Sequence, residues 1–285
     1  MDLAKAVRTA CILEASAAKA GNVHPRASFV DLTYDDFVRS ADAIAPVLAR
    51  TRELGVGRAV FEAIRATRVV VSSNTNLGIV LLLAPLTAVP SEVSVRDGIG
   101  QVLNCLTRED ASWVYRAIRL ANPGGLGSAN QEDVNSEPTE TLREVMLLAA
   151  DRDGVAAQYG NNFSWVLDEG VPFLQSARIQ FANRSDQAII ELQLRLLAAH
   201  PDTLIARKCG LAEADEVSRR ALQVLNSGGT TTAEGQRQFA EFDAWLRADG
   251  HRRNPGTTAD LITACLFASL RESKEGGRNT FPTSY

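Results

Sequence analysis

The sequence predicts an all-α, single-domain bundle of helices packed around one central apolar helix. Three observations carry this. Apolar residues recur at helical spacing along most of the 285 residues. The run from Gly78 to Leu86 is apolar on every side, as a helix enclosed by other helices must be. Only Val69-Val-Val-Ser looks strand-like, and it is too short to build a sheet.

The elements follow in order. Leu3, Val7, Ala10 and Cys11 form the stripe of a first helix that Glu14 continues, and Gly21 is expected to stop it. Residues 35–50 and 58–67 read as the next two helices, the first opening on acidic residues that suit the positive end of a helix dipole. After the central helix come 109–121, 139–150, 186–199 and 212–225, each bounded by turn residues, and then 233–247 and 257–271. Asn122-Pro-Gly-Gly-Leu-Gly and Asn226-Ser-Gly-Gly-Thr-Thr-Thr are the clearest loops. Neither is flanked by a compositional shift that would mark a linker, and no internal repeat is present. One domain is expected over 1–285, with the polar tail at 273–285 frayed.

Composition narrows the function. A hydrophobic fraction of 45% with 22% charged residues is that of a globular protein. A net charge of −4 and a pI near 5.5 argue against a nucleic-acid binder, which needs a basic face. Cys11, Cys105, Cys209 and Cys265 lie far apart, giving neither zinc spacing nor a disulfide framework, and are expected to be small buried apolar residues. His24, His200 and His251 are equally scattered. The apolar run 79–89 is short of the roughly 20 residues that cross a bilayer. No signal pattern opens the chain, so the expectation is a cytoplasmic protein with no membrane or nucleic-acid partner.

Five polar clusters exceed what helices alone require. In Glu14-Ala-Ser-Ala-Ala-Lys19-Ala-Gly21-Asn22-Val23-His24, Lys19 suits the negative end of a helix, but Glu14 puts a carboxylate on the buried stripe, which is costly without a partner. In the second, Asp35 and Asp36 suit a first turn, whereas Asp31 lies ahead of the helix. Ser73-Asn74-Thr75-Asn76-Leu77-Gly78 precedes the central helix. One cap is expected there, and a buried helix N-terminus also offers free N–H groups to a phosphate. In Asp202-Thr203-Leu-Ile-Ala-Arg207-Lys208, Asp202 has the place of an N-cap. A straight helix would not align it with Lys208, though a bent segment could turn both into one pocket. Thr257 and Asp260 have capping-box spacing after Asn254-Pro255-Gly256. Taken singly, each cluster is better explained by helix capping than by chemistry. No G-x-G-x-x-G and no P-loop pattern accompanies them.

Together and in this order, the clusters resemble the triphosphoribosyl-dephospho-CoA synthase family. Lys19-Ala20-Gly21-Asn22-Val23 resembles its K-P-G-x-V segment, and Asp31 with Asp36, Phe37, Ser40 and Ala41 matches its spaced acid and D-F-x-x-S-A. Asn74, Thr75 and Gly78 match N-T-x-x-G. Asp202 and Thr203 match D-T-x-x-x-x-R, with Lys208 in the basic position. Phe242, Asp243, Pro255, Gly256, Ala259, Asp260 and Leu261 match F-D and P-G-x-x-A-D-L. The departures are Ala20 for proline, His24 for a common acid, Asn76-Leu77 for a frequent His-Lys pair, and Lys208 for arginine. They bear on the acceptor more than on the reaction class.

The resemblance implies transfer of the 5-triphosphoribosyl group of ATP to 3'-dephospho-CoA, with release of adenine, giving a prosthetic-group precursor for an acyl-carrier protein. It implies Mg²⁺ on the triphosphate, catalytic carboxylates at Glu14, Asp31, Asp202 and Asp260, and metal contacts from Asp202 and Asp260. Nucleotide contacts would come from Lys19, Asn74, Thr75, Asn76, Gly78, Thr203, Lys208, Thr257 and Thr258. Glu14 and Asp31 lead as general bases, and Lys19 and Lys208 are expected on phosphates. A homodimer is compatible with this reading. Two rivals stand beside it: the same chemistry on a pterin or one-carbon cofactor precursor, and a non-catalytic nucleotide-binding helical protein.

Overall fold

The computed structural model describes residues 2–123, 133–181 and 184–272. Its first seven helices are α1 (Leu3–Ser16), α2 (Tyr34–Leu48), α3 (Thr51–Leu54), α4 (Val56–Val70), α5 (Leu77–Ala88), α6 (Val95–Asn104) and α7 (Arg108–Ala121). Then come α8 (Leu142–Leu147), α9 (Gly154–Gly160), a π-helical stretch at Trp165–Gly170, and α10 (Val171–Gln180). The chain continues through α11 (Ser185–Ala199), α12 (Thr203–Cys209), α13 (Leu211–Asn226), α14 (Ala233–Arg247) and α15 (Gly256–Glu272). No strand occurs among the described residues. Two isolated bridges, His24 with Ala27 and Phe29 with Leu32, fold the segment between α1 and α2. The expected tail at 273–285 and positions 124–127 of the expected loop lie outside the described residues.

The all-α, single-domain bundle is the observed fold, and α5 is its axis. Leu77 and every residue from Ile79 to Thr87 are buried, against α15, α4, α3, α6, α2 and α9. Pro85 stands inside this helix and has no N–H to give the carbonyl four residues back. The Tyr159 hydroxyl supplies that bond, donating to the Leu81 oxygen at 2.7 Å. At the far end Arg271 donates to the carbonyls of Leu86 at 2.8 Å and Val89 at 2.7 Å, closing the helix where its own amides run out. A smaller apolar cluster, built on Leu194, Leu197, Ile205, Val217, Val224, Phe242 and Leu246, joins α11 to α14 beside the main core.

Several expectations need correction. Val69 and Val70 finish α4 instead of forming a strand, since extending an existing helix costs a β-branched residue only tenths of a kcal/mol. Helix α1 ends at Ser16, not Gly21, with Ala17 extended. Cys11 and Cys265 are buried, but Cys105 is exposed and Cys209 half-buried. The apolar pattern predicts neither α3 nor α6, α9, α10 and the π-helical stretch; glycines lie within α6, α9 and that stretch. Those glycines are packing surfaces: a Cβ at Gly98 would lie 2.5 Å from Val89, and one at Gly170 would lie 2.2 Å from the Cys265 sulfur. No helix of the described residues is long and apolar enough to cross a membrane.

Candidate active site

The N-termini of α5, α9 and α15, the end of α1, and α12 converge on a cavity of about 880 Å³. Of the residues singled out from the sequence, Glu14, Asp31, Asn74, Thr75, Asn76, Gly78, Lys208, Thr257 and Asp260 line it. Lys19, Asp202, Thr203 and Thr258 stand behind its wall.

At the head of α5 the N-cap position is Asn76, and the Asn74 Oδ1, two residues earlier, accepts from the Leu77 N–H at 3.2 Å. Thr75 is held by α2: Ser40 donates to the Asp36 carbonyl at 2.6 Å, so the 2.6 Å contact between Ser40 and Thr75 takes its proton from Thr75. Asn76 is 4% exposed and donates to the Thr67 hydroxyl at 3.0 Å, while its Oδ1 has no partner. The Gly78 and Ile79 N–H groups also meet no acceptor among the described residues. An orphaned acceptor and free helix-terminal amides on one wall are unsatisfied polar groups that a ligand would complete.

Against this wall lies Asp260. The expected capping box of Thr257 and Asp260 does not form. The Thr257 hydroxyl contacts Thr203 at 3.1 Å, and Asp260 makes no hydrogen bond or ion pair with a described residue. Burial, then the charges of Glu14, Asp202 and Asp153, push its carboxyl well above the usual aspartate range. Its accessible surface is cavity surface, and the carboxylate sits over Gly78, where a Cβ would be 2.0 Å from Oδ2.

Asp202 performs the cap instead. Oδ1 accepts from the Leu204 and Ile205 amides at 3.0 and 3.1 Å, and Oδ2 accepts from the Thr258 amide and hydroxyl, both at 2.8 Å. One carboxylate thus closes the N-termini of α12 and α15 together. Burial raises its carboxyl against the pull of those four bonds. Lys208 lines the cavity and Asp202 does not, so the two are not turned into one pocket.

Lys19 is 1% exposed and pairs with Glu14, Nζ to Oε1 at 2.8 Å, and donates to the Glu14 carbonyl at 2.5 Å. Its loop is pinned from two helices. Gln193 of α11 accepts from the Ala20 amide and donates to its carbonyl, both at 2.8 Å. Asp243 of α14 accepts from the Gly21 amide at 2.8 Å, and Arg247 donates to the Asn22 carbonyl at 2.6 Å. Gly21 has φ 72°, and a Cβ there would lie 2.9 Å from Leu246, so only glycine fits.

Further polar residues of the cavity are not among the site residues expected from the sequence. Arg68, Arg152 and Arg207 line it, as do Asp153, His251 and Asn254. Arg207 is ion-paired to Asp153, whereas Lys208 has no hydrogen bond or ion pair with a described residue, and desolvation lowers its ammonium below the usual lysine range. Asp31 lies exposed at the rim, 3.4 Å from His251. A wing of Val114, Ile118, Leu142, Val145 and Met146 gives the cavity an apolar side that a flat ring could occupy. Arg207, next to Lys208, and Asn254, ahead of Pro255-Gly256, lie within polar clusters of the sequence; the others carry no motif. Among the described residues no group of three or more His, Cys, Asp or Glu is arranged to hold a metal ion.

Comparison with known proteins adds to this geometry. The ATP:dephospho-CoA triphosphoribosyl transferase family matches residues 1–279. A Pseudomonas putida protein named "Probable 2-(5''-triphosphoribosyl)-3'-dephosphocoenzyme-A synthase" is 36% identical over 177 residues, 56% of this chain and 61% of that protein. The Klebsiella pneumoniae protein named 2-(5''-triphosphoribosyl)-3'-dephosphocoenzyme-A synthase is 30% identical over 97 residues, 34% of each. The chain therefore spans less than two thirds of the length of these relatives. A crystal structure from Archaeoglobus fulgidus, of a protein described as a triphosphoribosyl-dephospho-CoA synthase, superimposes with a TM-score of 0.63 at 25% identity, covering 82% of this chain and 97% of that one.

Proposed function

Because the chain belongs to the ATP:dephospho-CoA triphosphoribosyl transferase family, we propose that its cavity moves the 5-triphosphoribosyl group of ATP onto a ribose hydroxyl of 3'-dephospho-CoA. The hydroxyl oxygen gives up its proton and attacks C1' of the ATP ribose, the bond from C1' to adenine breaks, and adenine takes up a proton and leaves while the triphosphate stays attached. The product is a prosthetic-group precursor for an acyl-carrier protein. The single observation that carries this reading is the unpartnered Asp260 carboxylate lying beside the free amides of α5 in one cavity.

The demands of the reaction fit this wall. The triphosphate is matched by the Gly78 and Ile79 amides and by Lys208, with Arg68 and Arg152 further along the cavity. Positive charge developing on the sugar is matched by the carboxylates of Glu14 and Asp260, as in glycoside chemistry. The apolar wing suits adenine, and Asn76 offers it a free acceptor. Asn74, Thr75, Thr203, Thr257 and Thr258 then shape the nucleotide site, and Asp202 acts through the two helix ends it caps.

Mg²⁺ fits as an ion carried by the triphosphate, because it keeps most of its waters and needs only one or two protein carboxylates. Asp260, half-buried beside other carboxylates and without an ion-pair partner among the described residues, is the group suited to hold it. When bound, the ion would neutralise phosphate charge and orient the triphosphate. The same reading puts the protein in the cytoplasm, with small-molecule partners in place of nucleic acid or membrane.

Incubation with Mg-ATP and 3'-dephospho-CoA is expected to release adenine without ADP or pyrophosphate. Formation of ADP would overturn the reading, since attack would then be at phosphorus. Adenine released with a pterin precursor but not with 3'-dephospho-CoA would keep the reaction and reassign the acceptor.

A further inference from the structure

We propose that Lys19 is a positioning residue for Glu14, and that Glu14, so held, is the anion placed against the ribose during transfer. The inference rests on the ribosyl-transfer reading and reassigns Lys19 within it, away from the phosphate contact expected from its sequence motif.

Reach excludes the phosphate role. The Lys19 side chain has no accessible surface and does not line the cavity, whereas Glu14, 5% exposed, does. The ammonium is already occupied by the Glu14 carboxylate and by the Glu14 main-chain oxygen, with the Ala17 carbonyl at 3.5 Å. Four other cations, Arg68, Arg152, Arg207 and Lys208, line the cavity.

The two contacts to one residue have a specific mechanical effect. Glu14 sits in the last turn of α1, where the helix carbonyls lack amide partners. Lys19 returns from beyond the helix end and grips both the backbone oxygen and the side chain of Glu14. The carboxylate is thereby fixed to the helix that carries it, with its counter-charge on the protein side and its open side toward the cavity. An unpaired carboxylate buried here would be strongly disfavoured; a paired one can remain an anion away from bulk water. Such an anion, already oriented, is what a cationic sugar requires, because no reorganisation is needed as charge develops.

The rest of the loop serves the same end. Gln193 brackets Ala20, and Asp243 and Arg247 hold Gly21 and Asn22, so the backbone around Lys19 is fixed from α11 and α14. This gives the scattered F-D and K-x-G segments one shared purpose: they set the height of the Lys19 ammonium beneath Glu14.

A double-mutant cycle on adenine release tests this, using the full chain with Mg-ATP and 3'-dephospho-CoA and rates taken per folded molecule. Lys19→Met and Glu14→Gln are each expected to lower kcat roughly a hundredfold, with KM for ATP changed less than about twofold. The double variant should be no slower than Glu14→Gln alone, because Lys19 then has no carboxylate to position. Lys19→Arg, which keeps the charge, should recover part of kcat. A rise of about tenfold in KM for ATP in Lys19→Met with kcat preserved would make Lys19 a phosphate ligand and overturn the inference. Losses that multiply in the double variant would overturn it too. If Lys19→Met does not fold, comparing Glu14→Gln with the double variant decides the matter, since both lack the ion pair. Any further drop in kcat refutes the proposal. Absence of adenine from the wild-type chain would overturn the ribosyl-transfer reading itself, a failure distinct from any change between variants.

Discussion

Asp202, behind the first turn of α15, accepts four hydrogen bonds, while Asp260, on the cavity face at the opening of the same helix, accepts none from the described residues. Both carboxyls are raised, and burial is the main cause in each. The difference is what opposes that burial. Around Asp202 the protein has built amides and a hydroxyl that tie α12 to α15. Around Asp260 it has placed Glu14, further acids and a glycine. A buried acid with all its acceptors filled is part of the framework; one left open in a cavity keeps a cost that a ligand can relieve.

The largest effect should come from Asp260→Asn, which is expected to cut adenine release about a thousandfold while far-ultraviolet circular dichroism stays native. Asp202→Ala should instead act on the framework. Leaving donors at two helix ends without their acceptor is expected to cost about 3 kcal/mol in denaturant unfolding, with kcat of the remaining folded protein little changed. If Asp202→Ala were the stable, inactive variant and Asp260→Asn the unfolded one, the comparison would be inverted.

Gly78→Ala sharpens the geometry. In a helix the change would ordinarily stabilise, but here the new Cβ would lie 2.0 Å from the Asp260 carboxylate. A drop in activity of roughly thirtyfold with the fold intact is expected, from displacement of that carboxylate. Unchanged kinetics would show that the placement of Asp260 over Gly78 is immaterial.

The smallest effect is on stability. Asp260→Asn should raise unfolding stability by about 1 kcal/mol at neutral pH, by removing an acid that folding desolvates and that must hold its proton where the unfolded chain has lost it. The sign can be followed with pH. A carboxyl raised in the folded state keeps its proton above the usual aspartate value near 4, where the unfolded chain has lost it. Wild-type stability therefore declines as pH rises from that value through the raised one. The Asn variant should show a shallower decline, with the share of Asp202 remaining. An equal slope in thermal melts across pH would remove Asp260 as its cause.

The sequence by itself determined the helical bundle and its axis, because a run such as 78–86 that is apolar on all faces has nowhere to go except the centre. It also determined which segments meet at the site, since short motifs at the ends of helices carry polar residues that capping does not use up. It did not reveal α6, α9 or the π-helical stretch, where glycines that accept close neighbours erase the apolar period, nor α10. Nor could it sort the acids. Asp202 and Asp260 both have the place of a cap, yet the structure has Asp202 cap α12 and reach across to Thr258 as well, and leaves Asp260 open. Lys19 and Lys208 read alike as cations near phosphate motifs, but one is sealed beneath Glu14 and the other faces the cavity. Spacing along the chain fixes which neighbours on one helix can interact, while hydrogen bonds and ion pairs between distant segments depend on how helices pack, and those contacts assign each charged group its task.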